Sequence, residues 1–220
     1  MSNQKFDIII VGAGTSGLEI AKNASLANLR VCLIDQGSSE GKGLYNKIPL
    51  LSGKLLSNTR HCLSFNSERQ KFLKNRQVPI LQGVGFGGSG LINGGVSYLG
   101  FEEKFNEVFH FWPDNFYSKF RKQIYSDCNF KYNREFGFSD ALSVYFKDAL
   151  LKLNFKEIDD LDGVNDGFGL LHINTFRSKR NNFINDFFSN AKHQNISKIA
   201  NTKIDKIILK NGIASGVICK

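Results

Sequence analysis

An α/β fold with a parallel sheet follows from three features of the sequence. Residues 6–11 form a short β-branched run closed by Gly12, residues from there to about 27 carry apolar positions at the helical spacing of Leu18, Ala21 and Ala24, and residues 29–35 form a second apolar run that ends in Asp35. Strand, glycine turn, helix and strand make a βαβ unit, whose two strands run parallel because a crossover helix separates them. Both strands are apolar throughout, which predicts a sheet buried on both faces.

The chain of 220 residues is long enough to bury roughly 70% of its extended-chain surface. With 41% hydrophobic and 22% charged residues and only 3 prolines it is neither disordered, collagen-like nor a small disulfide-stapled domain. No apolar run reaches the roughly 18 to 20 residues of a membrane-spanning helix, and no cleavage-site pattern follows the first strand, so a cytoplasmic protein is expected. The net charge of +9 is spread along the chain, which points to a solvated surface rather than a nucleic-acid-binding face. Cys32, Cys62, Cys128 and Cys219 lie far apart without a C-x-x-C pair, and of the histidines only His61 stands beside one of them. Reduced structural thiols are expected, and no metal site.

Residues 38–75 lack a clear period and read as a long surface excursion. Residues 83–100 hold eight glycines among Val, Phe, Leu and Ile. A flexible linker would be polar, so this apolar stretch predicts close approach of backbone to something else. Helices are expected over about 115–125, over 139–153 with Ser139 as N-cap, and over 180–192. The end reads as a hairpin, 203–209 and 213–219, turning at Lys210-Asn211-Gly212.

Gly12-Ala13-Gly14-Thr15-Ser16-Gly17 is a G-x-G-x-x-G string placed between a strand and a helix, with Asp35 at the end of the next strand. That context is the dinucleotide fingerprint of a Rossmann-like fold. Gly12 permits the tight turn, Gly14 lets backbone approach a pyrophosphate, and Gly17 allows close helix-to-strand packing. The N–H groups of Thr15 and Ser16 and the helix dipole favour the anion. Asp35 can accept from the adenosine ribose, and its charge argues against NADP. The motif alone leaves FAD and NAD both open.

Gly87-Gly88-Ser89-Gly90-Leu91-Ile92-Asn93-Gly94-Gly95 resembles the G-G-S-x-x-I-N-G segment of the glucose–methanol–choline (GMC) family of flavin oxidoreductases. Pro79 to Gly83, Trp112-Pro113-Asp114, Arg180, Asn195-Ile196 and the stretch from Ile204 to Lys220 resemble other blocks of that family in the same order. The resemblance implies an FAD-binding domain over 1–220, with the βαβ unit at 1–37, a flavin-side glycine loop at 78–100, a helical, substrate-side insertion at 110–176 and a second FAD-domain stretch at 177–220. It implies that Thr15 and Ser16 meet the pyrophosphate, that Asp35 holds the ribose, and that Gly88 and Ser89 face the flavin side of the pyrophosphate. Asn93, Gly94 and Val96 would lie along the ribityl chain and flavin ring, and Ile204 would hold the adenine through its main chain. Some relatives tether the flavin through a histidine where Ile92 stands, so non-covalent FAD is expected.

Family members are longer, and their catalytic histidine comes from later sequence. None of His61, His110, His172 and His193 matches that motif, so no catalytic residue is expected in this chain. His110, in Phe109-His110-Phe111-Trp112, reads as part of a packed aromatic edge. The resemblance therefore implies the FAD-binding portion of an oxidoreductase acting on CH–OH groups of alcohols or sugars by hydride transfer to flavin N5. Two further readings stand beside it: a non-catalytic flavin-binding chain that needs a completing partner, and an NAD-dependent dehydrogenase. The second glycine stretch speaks against the latter, since a nicotinamide enzyme has no use for a flavin-side loop.

Overall fold

The computed structural model describes residues 4–39, 48, 51, 53–97, 100, 102–113, 115–127, 140–158, 166–170, 172–173, 175–176, 179–180 and 195–220. In chain order the strands are β1 (Ile8–Val11), β2 (Val31–Ile34), β3 (Cys62–Asn66), β4 (Pro79–Gly83), β5 (Val96–Ser97), β6 (His172–Ile173), β7 (Thr175–Phe176), β8 (Lys179–Arg180), β9 (Ile196–Ile199), β10 (Ile204–Lys210) and β11 (Ile213–Cys219). The helices are α1 (Thr15–Leu26), α2 (Gly53–Leu56), α3 (Glu102–Val108), α4 (Phe116–Asp127) and α5 (Ala141–Lys152). The chain divides into two compact units, Met1–Gly94 with Ser178–Lys220, and Gly95–Arg177.

The first unit is built on a parallel sheet of order β1-β2-β9. Helix α1 crosses over from β1 to β2 and lays Leu18, Ala21 and Ala24 against Ile10, Val31, Leu33 and Ile196. Leu18 and Leu33 are fully buried, each worth about 1.5–3 kcal/mol in transfer free energy. Side chains alternate along a strand, so Cys32 and Ile34 belong to the other face of β2, and they are buried too.

The expectation of two-sided burial fails for β1. Ile9 is 36% exposed and Val11 54%, whereas every residue of β2 is buried. Ile9 and Val11 lie on the face of β1 opposite Ile10, which is buried in the core with α1, and β1 is flanked by one strand among the described residues where β2 is flanked by two. Strand β9 is fastened to the rest by Asn195, which precedes it. The Asn195 amide donates to the carbonyls of Leu29 at 2.6 Å and Ser25 at 3.2 Å, its side-chain oxygen accepts from the Ser25 hydroxyl, and its carbonyl accepts from Val31 N–H at 3.0 Å.

The described residues of the stretch 38–75 are less irregular than the sequence suggests. Strand β3 pairs antiparallel with β4, and Leu55 and Cys62 enter the main core. The terminal hairpin forms as expected, β10 against β11, with Asn211 and Gly212 at φ 50° and 78° in the turn. Two positive φ values in succession suit the right-handed twist of a two-residue hairpin.

In the second unit, α3 and α4 meet through aromatic rings. Phe105 lies 4.7 Å from both Phe109 and Tyr117 between ring centroids, and Trp112 lies 4.4 Å from Phe116. His110 packs edge-on to Phe111, with ring centroids 5.8 Å apart. The cap of α5 is Asp140, whose carboxylate accepts the Ser143 N–H at 2.9 Å, and this bond corrects the expected cap at Ser139, a residue that itself lies outside the described ones. The expected helix at 180–192 also falls outside them, apart from Arg180 in β8.

Candidate functional site

Each glycine of the first motif meets a different physical demand. Gly12 ends β1 with φ +99°, a left-handed turn that donates its N–H to Ile34 carbonyl at 2.8 Å. A Cβ on Gly17 would stand 1.9 Å from the Gly12 carbonyl oxygen, so helix and turn can approach only without a side chain there. Gly14 is different: its φ of −72° is ordinary, and a Cβ on it would meet nothing within 4 Å. No described neighbour obstructs a side chain at Gly14, so the glycine leaves open space on that side of the backbone.

That space opens at the start of α1. Gly14 is its N-cap without a side-chain hydrogen bond, and the first helical bond runs from Leu18 N–H to Gly14 carbonyl at 2.9 Å. The amides of Thr15, Ser16 and Gly17 precede that bond and have no intrahelical partner. Thr15 and Ser16 are exposed. Partial positive charge collects at such an end, and an anion satisfies both amides and dipole.

The second glycine stretch lies directly against the first. Gly87 N–H donates to Ala13 carbonyl at 2.6 Å, and Gly14 and Gly87 form a one-residue parallel bridge. A Cβ on Gly88 would come within 3.0 Å of Gly14 Cα, and one on Gly90 within 3.3 Å of Thr15 Oγ1. Gly88 and Ser89 belong to a 3₁₀ turn, Gly88–Leu91, anchored by the buried side chains of Phe86, Leu91 and Ile92. Ser89 Oγ accepts from Gly83 N–H at 3.0 Å, which leaves its proton to donate. Asn93 and Gly94 follow, both exposed.

Asp35 joins these loops. Its Oδ2 accepts from Ala13 N–H at 2.8 Å, and its Oδ1 from Gly37 N–H at 2.8 Å and Gly85 N–H at 3.1 Å. Its backbone carbonyl accepts from Thr202 N–H at 2.9 Å, two residues before Ile204. Ile204 itself opens β10 opposite Cys219, and no hydrogen bond among the described residues ties it to the glycine loops. Val96 opens β5 in the second unit, paired with Ile173.

The structure thus brings Gly12, Gly14, Thr15, Ser16, Gly17, Asp35, Gly88 and Ser89 into one backbone-lined region. Sequence reasoning did not single out Ala13, Gly37, Gly85 or Gly87 there. Density of glycine in 83–100 was the available signal for the last two. Ala13 carried none: it is fully buried beneath both loops and takes part through its peptide unit. The residues fit a dinucleotide, with an uncapped helix start, an open position at Gly14, and an acid at the end of the second strand.

The four histidines are scattered. His110 is exposed in the second unit, His172 pairs with Ser97 across β5 and β6, His193 lies outside the described residues, and the His61 carbonyl accepts from Val84 N–H at 2.9 Å. No group of three or more His, Cys, Asp and Glu among the described residues could hold a metal ion. No described helix is long and apolar enough to cross a membrane.

Comparison with known proteins gives this arrangement its context. In sequence the chain is similar to oxygen-dependent choline dehydrogenase of Rhizobium johnstonii, 24% identical over 230 residues that take in 96% of this chain and 41% of that protein. The protein of the same name from Vibrio vulnificus is 23% identical over 239 residues, again 41% of its length. The chain therefore spans about two fifths of the length of these relatives. In structure it resembles pyridoxine 4-oxidase from Mesorbium loti, with TM-score 0.76 at 16% identity over 98% of this chain and 46% of that one. It likewise resembles an FAD-dependent oxidoreductase from Chaetomium thermophilum, with TM-score 0.77 at 15% identity over 98% of this chain and 42% of that one. These likenesses establish the fold, that of a Rossmann-type domain. The model of the GMC oxidoreductase family matches residues 6–220, nearly the whole sequence, and the chain belongs to that family.

Proposed function

We propose that this chain binds FAD non-covalently and forms the cofactor-binding portion of an oxidoreductase acting on CH–OH groups of alcohols or sugars. One observation carries the reading: the open backbone at Gly14 sits beside the uncapped start of α1 and is backed by a second glycine turn at Gly88. A single pyrophosphate with a flat ring system on one side and adenosine on the other uses both surfaces. FAD, when bound, supplies a hydride acceptor at flavin N5.

The chain's own residues bind and orient. Thr15 and Ser16 donate backbone N–H to the pyrophosphate, and Ser89 adds its hydroxyl proton. Asp35 takes the ribose with the carboxylate capacity its three amide partners leave. Its negative charge beside the 2′ position disfavours NADP. Asn93, Gly94 and Val96 serve the ribityl and flavin end, and the Ile204 main chain the adenine. Ile92 is aliphatic and buried in the core, so it offers no side chain for a covalent tether. Choline and pyridoxine head the panel of candidate alcohols, since similar proteins carry those names. The buried free thiols Cys32 and Cys62 suit a reducing, cytoplasmic compartment.

The test is direct. The purified chain, mixed with FAD and desalted, should retain a flavin spectrum, and acid precipitation should release all the yellow colour into the supernatant. Colour left in the pellet refutes non-covalent binding; a folded protein that never retains flavin refutes the function.

A second reading is supported by the exposed Ile9 and Val11. These aliphatic side chains stand on β1, an edge strand of the sheet among the described residues, beside a central strand that is wholly buried. An open parallel edge with apolar residues is a surface for further chain. On this reading the 220 residues bind flavin but turn nothing over until more polypeptide, on the same or another chain, covers β1. Ile9→Lys separates the two: it should leave flavin binding intact and abolish any association that raises activity.

A further inference from the structure

Resting on the reading of this site as one for FAD, we infer that Asp35 is a positioning residue that locks the two glycine loops into register, beyond its service to the ribose. A carboxylate has about four lone-pair sites, and service to the ribose alone engages only one or two of them. Asp35 instead spends both oxygens on three backbone amides drawn from three segments: Ala13 at 2.8 Å in the first glycine turn, Gly37 at 2.8 Å in its own turn, and Gly85 at 3.1 Å at the entry to the second glycine turn.

The pivotal group is the peptide of Ala13. Its N–H is held by Asp35, and the Ala13 carbonyl accepts from Gly87 N–H at 2.6 Å. Asp35, Ala13 and Gly87 therefore form a chain of bonds across both loops, and Asp35 closes it a second time through Gly85. Close backbone packing reinforces the link, since a Cβ on Gly37 would come within 2.5 Å of Gly85 N. Phe86 N–H also donates to Ser38 carbonyl at 3.1 Å, so the entry to the second loop lies along residues 35–38. The main chain of Asp35 is fixed from the other side, its N–H donating to Ile199 carbonyl and its carbonyl accepting from Thr202 N–H, each at 2.9 Å. A side chain so anchored holds its partners rather than following them.

The consequence is specific to ligands that span both loops. ADP reaches the ribose and the first loop, whereas FAD also needs the second loop correctly placed. Removing the carboxylate should therefore weaken FAD more than ADP. A role confined to the ribose would weaken both equally, because the ribose is common to them.

The experiment compares Asp35→Asn and Asp35→Ala with the parent chain by calorimetric titration of FAD and of ADP. Hydrogen exchange of the ligand-free proteins is followed in parallel over residues 11–14 and 83–88. Expected is a loss of FAD affinity at least about tenfold greater than the loss for ADP, the order of one charge-assisted hydrogen bond, with faster exchange in both segments. Asp35→Asn keeps one oxygen and the shape of the side chain, so it covers the case in which Asp35→Ala does not fold. Equal losses for the two ligands overturn the proposal. So does unchanged protection over 83–88, whatever the ligands do. A parent chain that binds neither FAD nor ADP, with exchange at 83–88 accelerated by the substitutions, refutes the FAD reading while upholding the link between the loops.

Discussion

Gly14 and Gly17 are three residues apart in one motif, yet substitution should separate them cleanly. A Cβ at Gly17 lies 1.9 Å from the Gly12 carbonyl oxygen, against 3.4 Å or more for ordinary contact, so Gly17→Ala requires helix and turn to part by about 1.5 Å. Both sides of the clash are backbone, and neither can rotate away. Overpacking typically costs 1–3 kcal/mol and occasionally more, and a rigid pair belongs at the upper end, about 3 kcal/mol. For a chain of this length each kcal/mol lowers the melting temperature by about 2–4 °C, so a fall of about 6–12 °C is expected without any ligand. Gly14→Val should behave in the opposite way. Its φ of −72° suits any residue, the Cβ enters open space, and the loss of glycine's freedom in the unfolded chain offsets part of any cost. Its melting temperature should stay near that of the parent while FAD affinity is lost. Thermal melts by circular dichroism and FAD titration by fluorescence quenching read the two effects separately. A parent-like melt for Gly17→Ala refutes the packing of α1 on the turn; parent-like FAD affinity for Gly14→Val removes the pyrophosphate from this site.

Three further outcomes are expected. Arg30 donates to the Asp7 carboxylate through side chain and backbone and holds its pKa down to about 2. The stabilisation is therefore present above the unfolded value of about 3.9 and disappears as the pH falls toward 2. Melts of Asp7→Asn and the parent should differ at neutral pH and converge across that interval; a gap that stays constant there excludes the pair as its source. Gly212→Val forces a β-branched residue into φ +78° and should weaken the β10–β11 hairpin by about 1–2 kcal/mol, visible as faster amide exchange along both strands. Loaded with FAD, the 220-residue chain should stay oxidised on anaerobic mixing with choline, pyridoxine or simple sugars, because a positioned base contributes ~10² to 10⁴ in rate and no histidine is assigned to one. Bleaching at an enzymatic rate that stops with His61→Ala or His110→Ala would overturn this.

The βαβ unit was legible because its signals are local. Two apolar runs, a helical spacing of Leu18, Ala21 and Ala24, and a glycine turn all lie within about thirty residues. The terminal hairpin was legible for the same reason, its Asn211-Gly212 turn having few alternatives. Strand β3 was not, because only Cys62 of its five residues is buried, and a mostly exposed strand carries no alternation to read. At α5 two capping residues stand side by side, and pattern cannot choose between Ser139 and Asp140; the bond to Ser143 N–H decides for Asp140. The exposed face of β1 was missed because strand composition reports apolarity and says nothing of neighbours in the sheet.

The site shows the same division between local and distant information. An acid at the end of β2 can be recognised from spacing, but its bond to Gly85 lies 50 residues away along the chain and follows from tertiary structure alone. Ala13, at an unconstrained position of the motif, is the residue through which both loops are joined, and its contribution is a peptide group that any residue possesses. Its side chain, a methyl group, is fully buried. A site assembled in this way from amides, carbonyls and missing side chains constrains few side-chain identities. The same backbone can therefore be kept while most residues change, which is the physical sense in which a TM-score of 0.76 accompanies 16% identity. What such a fold must retain is the set of places where a Cβ cannot stand, and at Gly17, Gly37 and Gly83 the distances of 1.9, 2.5 and 2.3 Å to backbone atoms mark three of them.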